Sequence, residues 1–488
     1  MNILSFFPNI FFWIYRNLYG IFIILVQKLG YFIGEIVQNT QYNFDHLPLH
    51  LLILALIIVA VIFIYIRISY PFWSTQPVYH SYDFYYCYYS APFLVEAGYP
   101  VKTRFYKPEP QIQTFEYIAL SESQKRQIVN LIQSHSIAEE SALYMFHLGN
   151  LDTYMTGQST PSLVSIYLED QFIPLPKKIT LDSHIITDQS QIEVVKKPVG
   201  CITSRSIDLT IYGKKQSVYF LDFIVVNREK ASISNGGISR EMIHTHEYRQ
   251  RYKSLETAKK TKAIDPPIQI SLFKKENGLS EGVIPLVSYT SILVNIRNER
   301  IKKLPPHYLL VTIHRRNIDL LIDFIEISKT RFQCFGIAEL PNLSALIHSG
   351  VLKVFIIQKG KEIYAAYFFR DSRTQYDIGI DTDRNDSESD SESGALIILC
   401  GSIRNTKSAD LFYMGFLRAL RSILRETPNF NILLFEGISQ NIELSERYIG
   451  NSDKSNKNII GETQSAYYLY NYVCPKQPIL RESCFMVF

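Results

Sequence analysis

Tryptophan is close to missing from this chain: there are two, against 33 tyrosines and 30 phenylalanines, and no function follows from that skew alone. Cysteine is sparse too. The six, Cys87, Cys201, Cys334, Cys400, Cys474 and Cys484, are widely scattered, with no C-x-x-C pair and no histidine at zinc spacing. This argues against a disulfide framework or a structural zinc site, and for plain thiols in a reducing compartment. Excess charge is absent as well. A net charge of +4 over 488 residues gives no reason to expect nucleic acid as a partner. No phosphate loop, nucleophile elbow or zinc-protease motif occurs. His244 and His246 in "HTHEY" look like a metal pair, but positions i and i+2 of a helix face different ways, so no metal is expected.

What the chain does have is length, apolar residues and one long uncharged run. Hydrophobic residues make up 47% and charged residues 20%, enough for one large or two medium cores with a membrane part. Residues 47–66 read "LPLHLLILALIIVAVIFIYI", with Arg67 behind them. Twenty helical residues rise about 30 Å, the thickness of a bilayer core, so 47–67 is expected to be a transmembrane helix. Tyr65, Tyr70, Phe72 and Trp73 lie near one end, as an interfacial belt does. Residues 1–46 are also apolar but are broken by Arg16 and Asn17, which fits a second span or an interfacial helix. They lack the basic start and cleavage site of a signal peptide. Arg16 and Lys28 before the run balance Arg67 after it, so charge leaves the orientation open.

From Tyr70 onward the pattern alternates between strand and helix. Ser121 with Gln124 forms a capping box ahead of an apolar helical stretch. Two β-rich runs flank the turn Tyr212-Gly213-Lys214-Lys215, and the second, "VYFLDFIVV", is apolar enough to be a central strand. "NREKASISNGG" reads as a loop leading into the helix "ISREMIHTHEYRQRYKSL", a strand–loop–helix unit that puts a helix N-terminus beside an anionic ligand. A second hairpin turns at Lys359-Gly360. The polar stretch 371–394 reads as a mobile acidic loop. "LIILCGSI" and "NILLFEGI" are buried strands around a helix capped by Ser408. The same grammar twice predicts two related α/β halves.

Two stretches resemble one family. "YPFWSTQPV" (70–78) is similar to the N-terminal signature of N-myristoyltransferases, and "YYLYNYVCP" (467–475) to their closing signature, in the right order and at opposite ends. "VGCITS", "VYFLDFIVV" and "ISLFKKENGLSEGVIPLVSY" fit more loosely between them. The resemblance covers 70–488. With the apolar segment ahead of it, the chain looks like the anchored, divergent versions of large DNA viruses. It implies an α/β fold of two GNAT-like halves related by a pseudo-twofold, 70–300 for acyl-CoA and 301–488 for the peptide and the catalytic C-terminus. It also implies transfer of a myristoyl group from myristoyl-CoA to an N-terminal glycine amine, with myristoyl-CoA as co-substrate and no prosthetic group.

The family's residues carry over one by one. The α-carboxylate of Phe488 would be the general base. The backbone amides of Phe223 and Ile224 would form the oxyanion hole, and Val225 and Val226 would follow the pantetheine arm. Tyr70, Phe72 and Trp73 would hold the CoA. Asn235, Gly237, Ile238 and Ser239 fall at its phosphate-contacting positions, although the family's basic residues at that turn are gone. Glu462 keeps one acidic group that selects basic peptides, and Tyr467 opens the closing signature. Such an enzyme would be anchored to a lipid membrane, with its catalytic part facing the cytosol or a virion interior. Alternatives from other classes are an inactive acyltransferase-like module that binds lipidated or N-terminal peptides, and a structural virion membrane protein.

Overall fold

A computed structural model describes residues 47–89, 91–137, 142–174, 192–261, 266–297, 303–378, 392–450 and 459–488. The possible second span within 1–46 lies outside them. The chain divides into two compact units, Met1–Pro71 and Phe72–Phe488. In the first, the uncharged run forms helix α1 (Leu47–Ser69). By length and composition its stretch Leu51–Ser69 suffices to cross a membrane.

The second unit is built on a fifteen-stranded sheet. Its first half contributes β1 (Ile112–Glu116), β2 (Leu163–Pro174), β3 (Ile192–Ile211), β4 (Lys214–Val226), β5 (Ser271–Lys275) and β6 (Val287–Asn295). Its second half contributes β7 (Leu309–Ile313), β8 (Cys334–Ala338), β9 (Leu352–Lys359), β10 (Glu362–Ile378), β11 (Glu392–Arg404), β12 (Phe430–Glu436), β13 (Ile459–Tyr470) and β14 (Cys484–Val487). The short strand Ala142–Tyr144 adds to β10. The helices are α2 (Glu122–His135), α3 (Leu148–Met155), α4 (Arg228–Ile233), α5 (Gly237–Thr261), α6 (Ile318–Ser328), α7 (Leu340–His348), α8 (Ala409–Glu426) and α9 (Asn441–Gly450).

The expected caps and turns form as the residues dictate. Ser121 and Gln124 close the capping box of α2, and Ser408 Oγ accepts from Leu411 N at α8. Tyr212 and Gly213 both take positive φ, which a tight two-residue hairpin between β3 and β4 requires. Two expectations need correction. "REKASI" is helix α4 rather than loop, because Asn227 Oδ1 caps it by accepting from Lys230 N. The expected loop 371–394 is strand at both ends, β10 to Ile378 and β11 from Glu392, and 379–391 lies outside the described residues.

The halves repeat one unit. β2, β3 and β4 are antiparallel, α5 crosses over, and β5 returns parallel to β4. β9, β10 and β11 are antiparallel, α8 crosses over, and β12 returns parallel to β11. Each half then gives a strand to the other. β6 pairs with β12, and β13 pairs with β5, so the two meet along a β6–β13 seam. β8 and β14 extend the first half beyond β3. Strands therefore cross the 300/301 division in both directions.

Candidate active site

β4 and β5 pair only at Tyr219–Ser271, Phe220–Leu272 and Leu221–Phe273. Beyond those residues β4 stays paired to β3 as far as Val226, and β5 stays paired to β13 as far as Lys275. The two parallel neighbours thus separate, and the edge of β4 that faces β5 is left without a strand partner. On the β3 side a bulge sets Asp222 and Phe223 against the single residue Thr203.

Several sequence-predicted residues converge on this opening. Trp73 stacks on Phe273, with centroids 5.7 Å apart and planes 4° apart, and Phe273 stacks in turn on Tyr468. Phe72 is buried, edge-on to Trp73 and Phe105. Trp73, Val226 and Ile238 pack against one cluster that holds Leu221, Met242 and Phe273. The two signature stretches also touch: Tyr470 Oη donates to Gln76 Oε1 at 2.8 Å, and Asn471 N donates to Pro77 O at 2.6 Å. Gln76 Oε1 accepts further from His244 Nδ1 at 3.0 Å, the tautomer set by Thr103 N donating to His244 Nε2. His246 lies between Ser165 and Ser204. Burial, with nearby arginine charge, pulls both histidines down, to about 4 and about 3, so they serve as neutral hydrogen-bonding groups.

Phe223 and Ile224 sit at and just after the bulge. The Phe223 amide donates to Thr203 Oγ1 at 3.2 Å, so that hydroxyl competes for one proposed oxyanion donor. The Phe223 ring packs on Phe146 and Tyr154. Ile224 is exposed and Val225 buried. Asp222 forms a two-pronged ion pair with the buried Arg205, whose Nη1 also donates to Asn342 Oδ1.

At the approach to α5, Asn235 and Gly236 take positive φ. The Gly236 amide donates to Ala231 O and the Gly237 amide to Ser234 O, so neither is available to cradle a phosphate. Ile238 and Ser239 occupy the first turn of α5, where a helix has no internal acceptor for its amides. Lys230 is paired with Glu169. Tyr70 belongs to the other unit and follows the end of α1.

The C-terminus is buried. β14 runs parallel to β8, and Phe488 is 6% exposed. Two glycines make the room. A Cβ on Gly336 would lie 2.6 Å from Met486 Sδ, and one on Gly401 would lie 2.6 Å from Val487 Cγ2. The Phe488 ring lies 4.3 Å from that of Phe220, one residue before β4 and β5 part, and 6.0 Å from that of Tyr467.

A charged cluster that motif reading missed lies beside it. Arg370 Nη1 donates to Phe488 O at 3.3 Å, and its Nη2 to Glu436 Oε1 at 3.4 Å. Lys274 Nζ donates to Glu436 Oε1 at 2.8 Å and pairs with Glu276 at 2.6 Å. Burial is the largest influence on both cations and works against them, but Glu436 together with Glu276 at Lys274, and with Tyr154, Cys400 and Tyr467 at Arg370, more than offsets it and holds them charged. Each of the three ends a buried apolar run ("AAYFFR", "ILLFE", "SLFK"), a signal present in the sequence. Glu462 sits exposed on β13, its side chain with no hydrogen bond or ion pair among the described residues.

No protein-family model matches the sequence, and no curated protein sequence does. Among solved structures the chain is similar to the N-myristoyltransferase of Saccharomyces cerevisiae with bound myristoyl-CoA: TM-score 0.59, 11% identity, 86% of this chain and 99% of that one. Another structure of that enzyme with bound myristoyl-CoA gives a TM-score of 0.56 at 11% identity, covering 86% and 93%. One with myristoyl-CoA and inhibitors gives 0.55 at 10%, covering 84% and 91%. At such identity the likeness establishes the fold.

Proposed function

We propose that this protein is an acyl-CoA-dependent acyltransferase that moves a myristoyl group from myristoyl-CoA to the N-terminal glycine amine of peptides. The observation that carries this reading is the parting of β4 and β5 beside a buried C-terminus, in a fold shared with an enzyme whose structure holds myristoyl-CoA. Trp73, Phe72, Val225, Val226 and Ile238 would line the acyl-CoA. Asn235, Gly237 and Ser239 would meet the phosphates, with the first-turn amides of Ile238 and Ser239 as the donors.

The chemistry follows from these placements. A model α-amine titrates at about 7.7–8.0, so a nearby carboxylate assists its deprotonation near neutral pH. The Phe488 carboxylate would take the first ammonium proton. The amine then attacks the thioester carbonyl, whose developing oxyanion faces the backbone amides of Phe223 and Ile224. The C–N bond forms, the C–S bond breaks, and CoA leaves as the thiol with the second proton from nitrogen. Tyr467 would border the acceptor, and Glu462 would favour basic peptides. α1 would anchor this chemistry to a membrane, on the side that supplies acyl-CoA.

One observation favours a second reading. The Gly236 and Gly237 amides are used inside their own loop, which weakens the case for a CoA phosphate site and suits a binding module that holds lipidated or N-terminal peptides without turnover. The test is transfer of a labelled myristoyl group to Gly-initiated peptides by the full chain in detergent, untagged at Phe488. Transfer supports the enzyme. A folded protein that binds no myristoyl-CoA and transfers nothing removes it.

A further inference from the structure

Three charged residues stand where apolar residues are the norm, at the ends of buried runs on three strands that are not neighbours in the sheet. Arg370 is the one of the three that reaches the last residue of the chain. Its Nη1 reaches Phe488 O and its Nη2 reaches Glu436 Oε1. Glu436 is fully buried, and its Oε1 is fixed from the other side by Lys274 while its Oε2 has no partner among the described residues. An ion cluster serving stability alone is expected to satisfy both oxygens of a buried carboxylate, because an unpaired one costs the desolvation it suffers. The planar guanidinium instead spans from this fixed carboxylate to the last residue of the chain, and its rigid fork suits it to that task. Seated between Gly336 and Gly401, residues 485–488 have their strand held by packing. Packing does not orient a terminal carboxylate, which turns about its own C–C bond.

We propose that Arg370 is a positioning residue for the Phe488 carboxylate, with Glu436 and Lys274 holding the guanidinium in place. This rests on the reading above that the carboxylate is the base. The clamp fixes one carboxylate oxygen and leaves the other for the acceptor amine beside the β4–β5 opening. A lone terminal carboxylate would sample many orientations. The clamped one presents a single direction, which lowers the ordering needed when substrate arrives.

The test needs no acyl transfer. The full chain in detergent micelles is treated with a carboxypeptidase that removes C-terminal aromatic residues, and release of Phe488 is timed. Hydrogen exchange of β8 and β11 is followed in the same samples. Arg370→Gln is expected to release Phe488 about tenfold faster, the scale of a lost charge-assisted bond, with β8 and β11 exchange unchanged. Arg370→Lys, which keeps a charge able to reach the same oxygen, is expected to restore most of the protection, and Glu436→Gln to fall between. If Arg370→Gln does not fold, the Glu436→Gln and Arg370→Lys comparison decides alone. Unchanged release in Arg370→Gln, or in Glu436→Gln where Arg370→Gln does not fold, or a rise matched by faster exchange in β8 and β11, overturns the clamp. Protection by Arg370 in a protein that transfers no myristate would instead leave the clamp standing and remove the enzyme reading.

Discussion

The two halves contain the same strand–helix–strand crossing, yet its far end is closed in one and left apart in the other. In the second half, Asn441 Nδ2 donates to both Leu399 O on β11 and Glu436 O on β12, 3.0 Å from each. Ser439 Oγ donates to Ser402 O just beyond, and Val487 and Phe485 fill the space over Gly401. In the first half no side chain among the described residues hydrogen-bonds across from β4 to β5 past Leu221 and Phe273. The crossing helices differ in the same sense. α8 packs with Phe412, Phe416, Leu420 and Ile423 in an apolar core. α5 instead turns His246, Glu247 and Gln250 inward, onto Ser165, Ser204 and Ser271. The repeated unit thus has an opening on one side and a packed, hydrogen-bonded end on the other.

The strongest way to break this comparison is to end the chain at Phe485. That removes the proposed base together with Val487, one of the two fillers of the closed end, and labelled-myristoyl transfer is expected to fall by roughly 10²- to 10⁴-fold, the range for a lost general base. Full transfer by that variant would dismiss the terminal carboxylate. Next in size, Asn441→Ala removes the side-chain donor to Leu399 O and one of the two donors to Glu436 O, which keeps Ile438 N, and should cost about 1–2 kcal/mol in denaturant unfolding. A loss below about 0.5 kcal/mol would mean that the second half needs no staple. On the open side, Trp73→Ala removes a stacked indole and is expected to weaken myristoyl-CoA binding about tenfold by calorimetry, the equivalent of one aromatic contact. Equal binding would place the ligand elsewhere.

The smallest effect concerns the polar underside of α5. Burial raises the Glu247 carboxyl from 4.5 to about 7, only partly offset by Ser271 and Arg251. The folded state therefore binds the extra proton between those values, and stability contributed by this group is lost as pH rises from 4.5 through 7. Glu247→Gln should flatten that slope in melting curves across the window. An unaltered slope would assign it to another group.

Much of this was readable from local chemistry. The Ser121 and Ser408 caps, the turn at Tyr212-Gly213 and the apolar run of β4 depend on neighbours in the chain, and they formed as expected. α4 is hidden in the sequence because Ser, Asn and Gly around it suggest a loop, while the deciding feature is a single cap at Asn227. The exchange of β6 and β13 was not readable, since a pairing such as that of Tyr470 with Ser271, nearly two hundred positions apart, leaves no periodic trace. Arg370, Glu436 and Lys274 were visible as lone charges ending apolar runs, but only the folded sheet shows that they share one spot.

The strand exchange also sets an order of events during synthesis. β5 has no neighbour on its β13 side until residues 459–470 exist, and β8 lacks β14 until 484–487 do. Such distant pairings are slow to form, and a bare strand edge is prone to pair wrongly. A growing chain therefore carries an incomplete first half until its last residues emerge. A copy that stops short of residues 459–487 has no finished sheet.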